Sequence, residues 1–126
     1  MAHILLIDDE QNLREVLQKI LTAEGHTVNV AENGKIGVNL FDNDTYDLVI
    51  TDIIMPEQDG YEVINAIRKK SPDTKIIAVS GGSRRIDVND LMPTARCLGA
   101  QEVLAKPLNY EALKVIVRKL LESPEA

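Results

Sequence analysis

Cysteine is nearly absent from this chain. Cys97 stands alone among 126 residues, so no internal disulfide can form. A reducing, cytoplasmic compartment is the expectation that follows. Positive charge is also short: 14 lysines and arginines face 20 aspartates and glutamates, a net charge of −6. An acidic surface argues against direct nucleic-acid binding, because recognition of a phosphate backbone needs a clustered basic footprint. The chain lacks a run of the roughly 18 apolar residues that a membrane span requires, and the apolar residues after Met1 run straight into acids. Neither a membrane segment nor a secretory leader is read. No repeat, low-complexity stretch or linker interrupts the chain, so residues 1–122 are read as one domain and 123–126 as a tail.

What the chain does have is an alternation of two patterns. A content of 44% hydrophobic residues argues against disorder. Short β-branched apolar runs fall at residues 3–7, 27–31, 47–51, 75–79 and 102–105. Between them, Leu13, Val16, Leu17, Ile20 and Leu21 keep helical spacing, as do Leu113, Ile116, Val117 and Leu120 near the C-terminus. Gly25, Gly60 and Gly99 sit where helices stop or loops begin, and Asn33 and Asn109 suit helix N-caps. Strands alternating with helices mean an α/β fold: a doubly wound, five-stranded parallel sheet with helices on both faces. The first, third and fourth runs are apolar nearly throughout, as central strands should be, while the second alternates like an edge. Order 2-1-3-4-5 satisfies the right-handed crossover rule. The segment between Ser80 and Gly99 fits less well. Its loop formers and Pro93 predict a long loop, then a short or kinked fourth helix ending near Leu98.

In an open parallel sheet, ligands bind beyond the carboxyl ends of the strands, where the strand order reverses. Asp8, Asp9 and Glu10 follow the first run, Asp52 the third, Ser80 the fourth, and Lys106 with Pro107 the fifth. The 2-1-3-4-5 order makes Asp8, Asp9 and Asp52 converge. At ~4 Å and an effective dielectric of 20, each carboxylate pair repels by about 4 kcal/mol before screening. A hard divalent cation such as Mg²⁺ answers that repulsion, since it takes carboxylate, water and phosphate oxygens. Lys106 adds a compact positive charge and Ser80 a hydroxyl donor. Together they supply what a transferring phosphoryl group needs: a carboxylate nucleophile, a metal, a cation and a hydrogen-bond donor. Each piece alone is an ordinary solvated helix start, loop residue or cap. Jointly, complementary chemistry at four strand ends points to function.

Taken in order, these residues resemble the receiver domain of two-component response regulators, a fold of the flavodoxin and CheY type. The likeness covers essentially the whole chain. It rests on an apolar strand followed by DDE at Asp8, Asp9 and Glu10; on Asp52 followed by IIMP, then Asp59-Gly60; on Ser80-Gly81; and on LGA at 98–100 with AKPL at 105–108. The resemblance implies that Asp52 accepts a phosphoryl group from phosphohistidine of a sensor histidine kinase or a histidine phosphotransfer protein. Asp9, Asp8 and Asp52, with the backbone carbonyl of Ile54, would hold Mg²⁺. Lys106 and Ser80 would bind the phosphoryl oxygens, Gly81 would leave them accessible, and a cis Lys106–Pro107 bond would aim the lysine. Met55, Pro56 and Gly60 would shape the loop beyond the phosphosite. Phosphorylation would then switch the surface around the fourth helix and fifth strand toward an unknown downstream protein. One position departs from the family: Val103 stands where an aromatic is common.

No output domain follows Ala126, so a stand-alone receiver is expected, phosphorylating and dephosphorylating itself rather than acting as a turnover enzyme. Two competitors are a pseudo-receiver that binds a partner without phosphorylation, and a phosphatase acting through an aspartyl phosphate. The first is disfavoured by the complete acid set with Lys106. The second typically needs an aspartate two residues after the nucleophile, where Ile54 stands. His3 and His26 lack metal spacing, Cys97 reads as a small core residue, and Arg84-Arg85 as a solvated loop. Gln11, Asn12, Arg14, Glu15 and Gln18 would lie beside the site, as a docking face or an ordinary wet one.

Overall fold

Successive residues of a strand point to opposite faces of its sheet, and here both faces are apolar. Leu5, Ile7, Val49, Ile76, Ala78 and Val103 pack on one side, Ile4, Leu6, Leu48, Ile50, Ile77 and Val79 on the other. A parallel sheet sandwiched between helices buries both sets. The computed structural model, which describes residues 2–53, 60–80 and 99–122, has that architecture. Strands β1 (His3–Ile7), β2 (Thr27–Ala31), β3 (Leu48–Asp52), β4 (Lys75–Ser80) and β5 (Glu102–Ala105) form one sheet in the order β2-β1-β3-β4-β5. Every pairing is parallel.

Helices α1 (Gln11–Ala23) and α4 (Tyr110–Glu122) cover one face through Leu17, Leu21, Leu113 and Val117. Helices α2 (Gly34–Asp42) and α3 (Gly60–Lys70) cover the other through Phe41, Val63, Ile64 and Ile67. Arg118 of α4 reaches Glu24 at the end of α1, with Nη2 2.7 Å from Oε1. The expected N-caps are in place. Asn33 Oδ1 accepts from the Ile36 amide at 2.9 Å, and Asn109 Oδ1 from the Ala112 amide at 3.0 Å. Gly37 lets α2 lie close on β1, since a Cβ there would come within 2.4 Å of the buried Ile7 side chain. Gly60 opens α3 rather than ending an element, a placement glycine tolerates at a helix start.

Two strands run one residue further than their apolar runs predict. β3 ends on Asp52, which pairs with Val79, and β4 ends on Ser80, which pairs with Ala105. Ladder pairing sustains both extensions even though the side chains are polar. The backbones of both candidate residues are therefore held by the sheet. The readings for the segment after Ser80, including Gly81, Arg84-Arg85, Pro93 and Cys97, lie outside the described residues, as do Ile54, Met55, Pro56 and the tail. Among the described residues, no helix is long and apolar enough to cross a membrane.

Candidate phosphoryl-transfer site

The carboxyl ends of β1, β3, β4 and β5 open on one rim, because all the strands are parallel. β1 delivers Asp8, whose backbone amide donates to the Ala31 carbonyl at 3.1 Å. The residue is nearly sealed (2% exposed), with Oδ1 accepting from the Glu10 amide at 2.8 Å. Arg14 of α1 donates to the Asp8 carbonyl at 2.7 Å and ties the strand end to the helix. β3 delivers Asp52, 4% exposed, with its own carbonyl accepting from the buried Thr51 hydroxyl at 3.0 Å. Asp9 stays exposed. Asp8, Asp9 and Asp52 each place an oxygen within 4.8 Å of the others.

β5 delivers the counter-charge. The Lys106 amide donates to the Ser80 carbonyl at 2.8 Å, and the Lys106–Pro107 bond is cis. Lys106 Nζ lies 3.0 Å from Asp52 Oδ2, 3.1 Å from Asp8 Oδ2 and 2.6 Å from Glu10 Oε1. Burial alone would lower the Lys106 pKa, but the contacts to Glu10, Asp52 and Asp8 outweigh it and hold the ammonium well above its ordinary value. Asp8 moves the opposite way from most paired carboxylates. Its burial raises its pKa more than the Glu10 amide and Lys106 lower it. The two directions are compatible, since Lys106 gains from several carboxylates while Asp8 shares one ammonium with the rest.

Ser80 is fully buried, and its hydroxyl has no hydrogen-bond partner among the described residues. An orphaned buried hydroxyl is costly unless an incoming acceptor completes it. Val103, at the departing position, is buried on the face covered by α2 and α3. It is a packed core residue there. Ile54 and Gly81 lie outside the described residues.

The donor set suits a hard cation. The carboxylates of Asp8, Glu10 and Asp52 surround the Lys106 ammonium and Asp9 joins Asp8 and Asp52, so among the described residues the acids outnumber the cation, a set of oxygen ligands that Mg²⁺ prefers. The raised Asp8 pKa carries a testable sign. An acid whose folded pKa lies above its ordinary 3.8 binds protons more readily when folded, so its contribution to stability falls as pH rises through the folded value. In EDTA, Asp8→Asn is expected to be more stable than the parent at neutral pH. That advantage should vanish below about pH 4, and Mg²⁺ affinity should drop. Urea unfolding across pH checks this; a variant less stable at neutral pH refutes it.

Of the residues on α1, Arg14 and Gln18 are engaged inward, Gln18 donating to the Val28 carbonyl at 3.4 Å. Gln11, Asn12 and Glu15 face solvent, with Gln11 bonded to Glu15 at 3.0 Å. Both histidines sit at the opposite rim. The His3 ring packs tilted against Tyr46 with centroids 4.2 Å apart, and His26 Nδ1 accepts from the Ala2 amide at 3.2 Å. The contact between Glu10 and Lys106 was not anticipated. Its signal was the third acid of the DDE run, which spacing alone marks only as another repelling neighbour.

The family profile described as response regulator receiver domain matches residues 4–118. The chain belongs to this family. The receiver is 38% identical over 119 residues to the probable transcriptional regulator ycf27 of Cyanidium caldarium, covering 94% of this chain and 46% of that protein. It is 33% identical over 121 residues to the response regulator ArlR of Staphylococcus epidermidis, covering 96% and 53%. It therefore spans about half the length of the curated relatives it matches. Among solved structures, the response regulator TrrA of Thermotoga maritima, in complex with Mg²⁺–BeF, aligns with a TM-score of 0.81 at 42% identity, over 95% of this chain and 99% of that one. A receiver domain protein from Clostridium thermocellum aligns with a TM-score of 0.87 at 28% identity, over 96% and 94%.

Proposed function

We propose that this receiver is a Mg²⁺-dependent phosphoacceptor of a two-component phosphorelay, with Asp52 as the acceptor. The observation that carries the reading is the Asp52 carboxylate, held at the end of β3, 3.0 Å from Lys106 Nζ and clustered with Asp8 and Asp9. A carboxylate oxygen of Asp52 attacks the phosphorus of a phosphohistidine on a sensor histidine kinase or phosphotransfer protein. The O–P bond forms as the P–N bond breaks, and its electron pair leaves with the imidazole nitrogen, which takes a proton from solvent. Asp8, Asp9 and Asp52 would hold the metal; the Ile54 carbonyl, a further ligand that the family likeness implies, lies outside the described residues. Bound there, Mg²⁺ supplies neutralising charge for the phosphoryl oxygens.

Lys106 pairs with the transferred group, and the Ser80 hydroxyl gains an acceptor from it. Binding Ser80 biases the surface that follows β4 and flanks β5, which engages a downstream protein. Hydrolysis returns the Asp52 carboxylate and inorganic phosphate, so the domain, residues 1–122, works as a self-resetting switch and not a turnover enzyme. A cytoplasmic location, away from membrane and nucleic acid, fits the acidic surface and the lone cysteine.

Incubation with phosphoramidate and Mg²⁺, followed by intact mass measurement, tests the reading. One base-labile phosphoryl adduct is expected, absent in EDTA and absent in Asp52→Asn. Unmodified wild-type protein would instead support a pseudo-receiver. Continued turnover of a foreign phosphoester would support a phosphatase.

A further inference from the structure

We propose that Glu10 is a positioning residue that throttles phosphorylation by occupying the Lys106 ammonium the incoming group requires; the proposal rests on the phosphoacceptor reading. A lysine ammonium has three N–H donors and no more. Here Asp8, Asp52 and Glu10 surround it, and the shortest of the three contacts, 2.6 Å, is to Glu10. The hydrogen bonds of Lys106 Nζ go to Glu10 and Asp52 and Asp8 completes the ionic shell, so a phosphoryl oxygen competes with these contacts for the ammonium.

The three are not equally displaceable. Asp8 is buried and tied to the Glu10 amide, and Asp52 is buried at the end of a paired strand. The Glu10 side chain is 59% exposed, and although Glu10 occupies the N-cap of α1 it makes no side-chain cap bond. Its carboxylate can swing into water, where exposed ion pairs are weak. Glu10 is therefore the contact that yields. Charge acts in the same direction, since a phosphoryl group brings about −1.5 to −2 beside a standing −1.

The step affected is attack of Asp52 on the donor, in which the O–P bond forms as the P–N bond breaks and nitrogen departs with the electron pair. Glu10→Gln keeps size and exposure but removes the competing charge. With phosphoramidate and saturating Mg²⁺, Glu10→Gln should form the adduct about three- to tenfold faster than wild type. Glu10→Ala, which also removes the reach to Lys106, should match it. Glu32→Gln removes an exposed acid just past β2, on the same rim, and should leave the rate unchanged. Beryllofluoride with Mg²⁺ should bind Glu10→Gln more tightly by a similar factor. The Lys106 ammonium resonance, followed by NMR without metal, should move in Glu10→Gln and not in Glu32→Gln. Equal or slower phosphorylation of both Glu10 variants, beside a wild type that phosphorylates, overturns the role of Glu10 and leaves the phosphoacceptor reading standing. An equal gain in Glu32→Gln also overturns it, as a general charge effect. A wild type that takes no adduct overturns both.

Discussion

Lys106→Ala is expected to slow formation of the Asp52 acyl phosphate by about a hundredfold or more, the usual loss when a preorganised charge stabiliser is removed. Mg²⁺ binding should survive and tighten, because the ammonium competes with the cation for the same carboxylate oxygens of Asp8 and Asp52. The two effects separate the roles: acids for metal, lysine for phosphoryl. Stability should move as well. Removing one partner from a buried ionic cluster leaves uncompensated carboxylates, at a cost of about 3 kcal/mol in EDTA. Millimolar Mg²⁺ should restore much of this, since a ligand at 100 times its Kd stabilises by about 2.7 kcal/mol. The raised Lys106 pKa sets the pH window. Its stabilisation is complete below the ordinary lysine value of 10.5 and is lost only above it, as pH passes the folded value, so the deficit should be undiminished at neutral pH. Intact mass kinetics, Mg²⁺ titration and urea melts check each part. Loss of the metal site together with the phosphorylation response would refute the division of labour.

Arg68→Ala is expected to cost about 2–4 kcal/mol of stability. The Arg68 guanidinium, on α3, donates to the Gly99 carbonyl from Nη2 at 2.7 Å and from Nε at 3.2 Å. It also donates to the Thr74 carbonyl at 2.6 Å and to Gln101 Oε1 at 2.9 Å, and Gln101 Oε1 accepts in turn from the Ile76 amide at 2.7 Å. One fork thus joins the end of α3, the start of β4 and the approach to β5. Gly99 is part of the fit. Its φ of +116° suits glycine, and a Cβ there would come within 2.7 Å of Arg68 Nε. Arg68→Lys should recover only a minor share, since a point charge cannot replace a planar fork. Denaturant melts give the ranking, and amide exchange should quicken at Gln101, whose N–H donates to the Ile76 carbonyl at 2.9 Å. A change in Arg68→Ala smaller than about 0.5 kcal/mol would put it among ordinary surface substitutions.

Strand and helix order were legible because apolar periodicity reports directly on which faces are buried. Two-sided apolar runs marked β1, β3 and β4 as central, and the alternation of TVNVA marked β2 as an edge; the sheet order agrees. The convergence of Asp8, Asp9 and Asp52 was legible too, because parallel strands place every carboxyl end on one rim. Arg68 was not. It opens the run Arg68-Lys69-Lys70 at a helix end, a pattern that reads as solvated charge, and its acceptors are mostly backbone carbonyls, which carry no side-chain signature. The apolar pattern stops one residue short of the ends of β3 and β4, because Asp52 and Ser80 are polar residues that the ladder keeps in strand conformation.

The amino-acid sequence by itself determined the alternating elements, the two-faced sheet and the identity of the groups gathered at its carboxyl rim, since these follow from local period and chain direction. Tertiary structure alone decided that Glu10 joins Asp8 and Asp52 around Lys106. Glu10 and Lys106 are 96 positions apart, and no local pattern encodes a contact that forms only when the successive crossovers bring the ends of β1 and β5 to one rim. It also decided that Ser80 is sealed without a partner among the described residues, because solvent exclusion at one atom depends on everything packed around it.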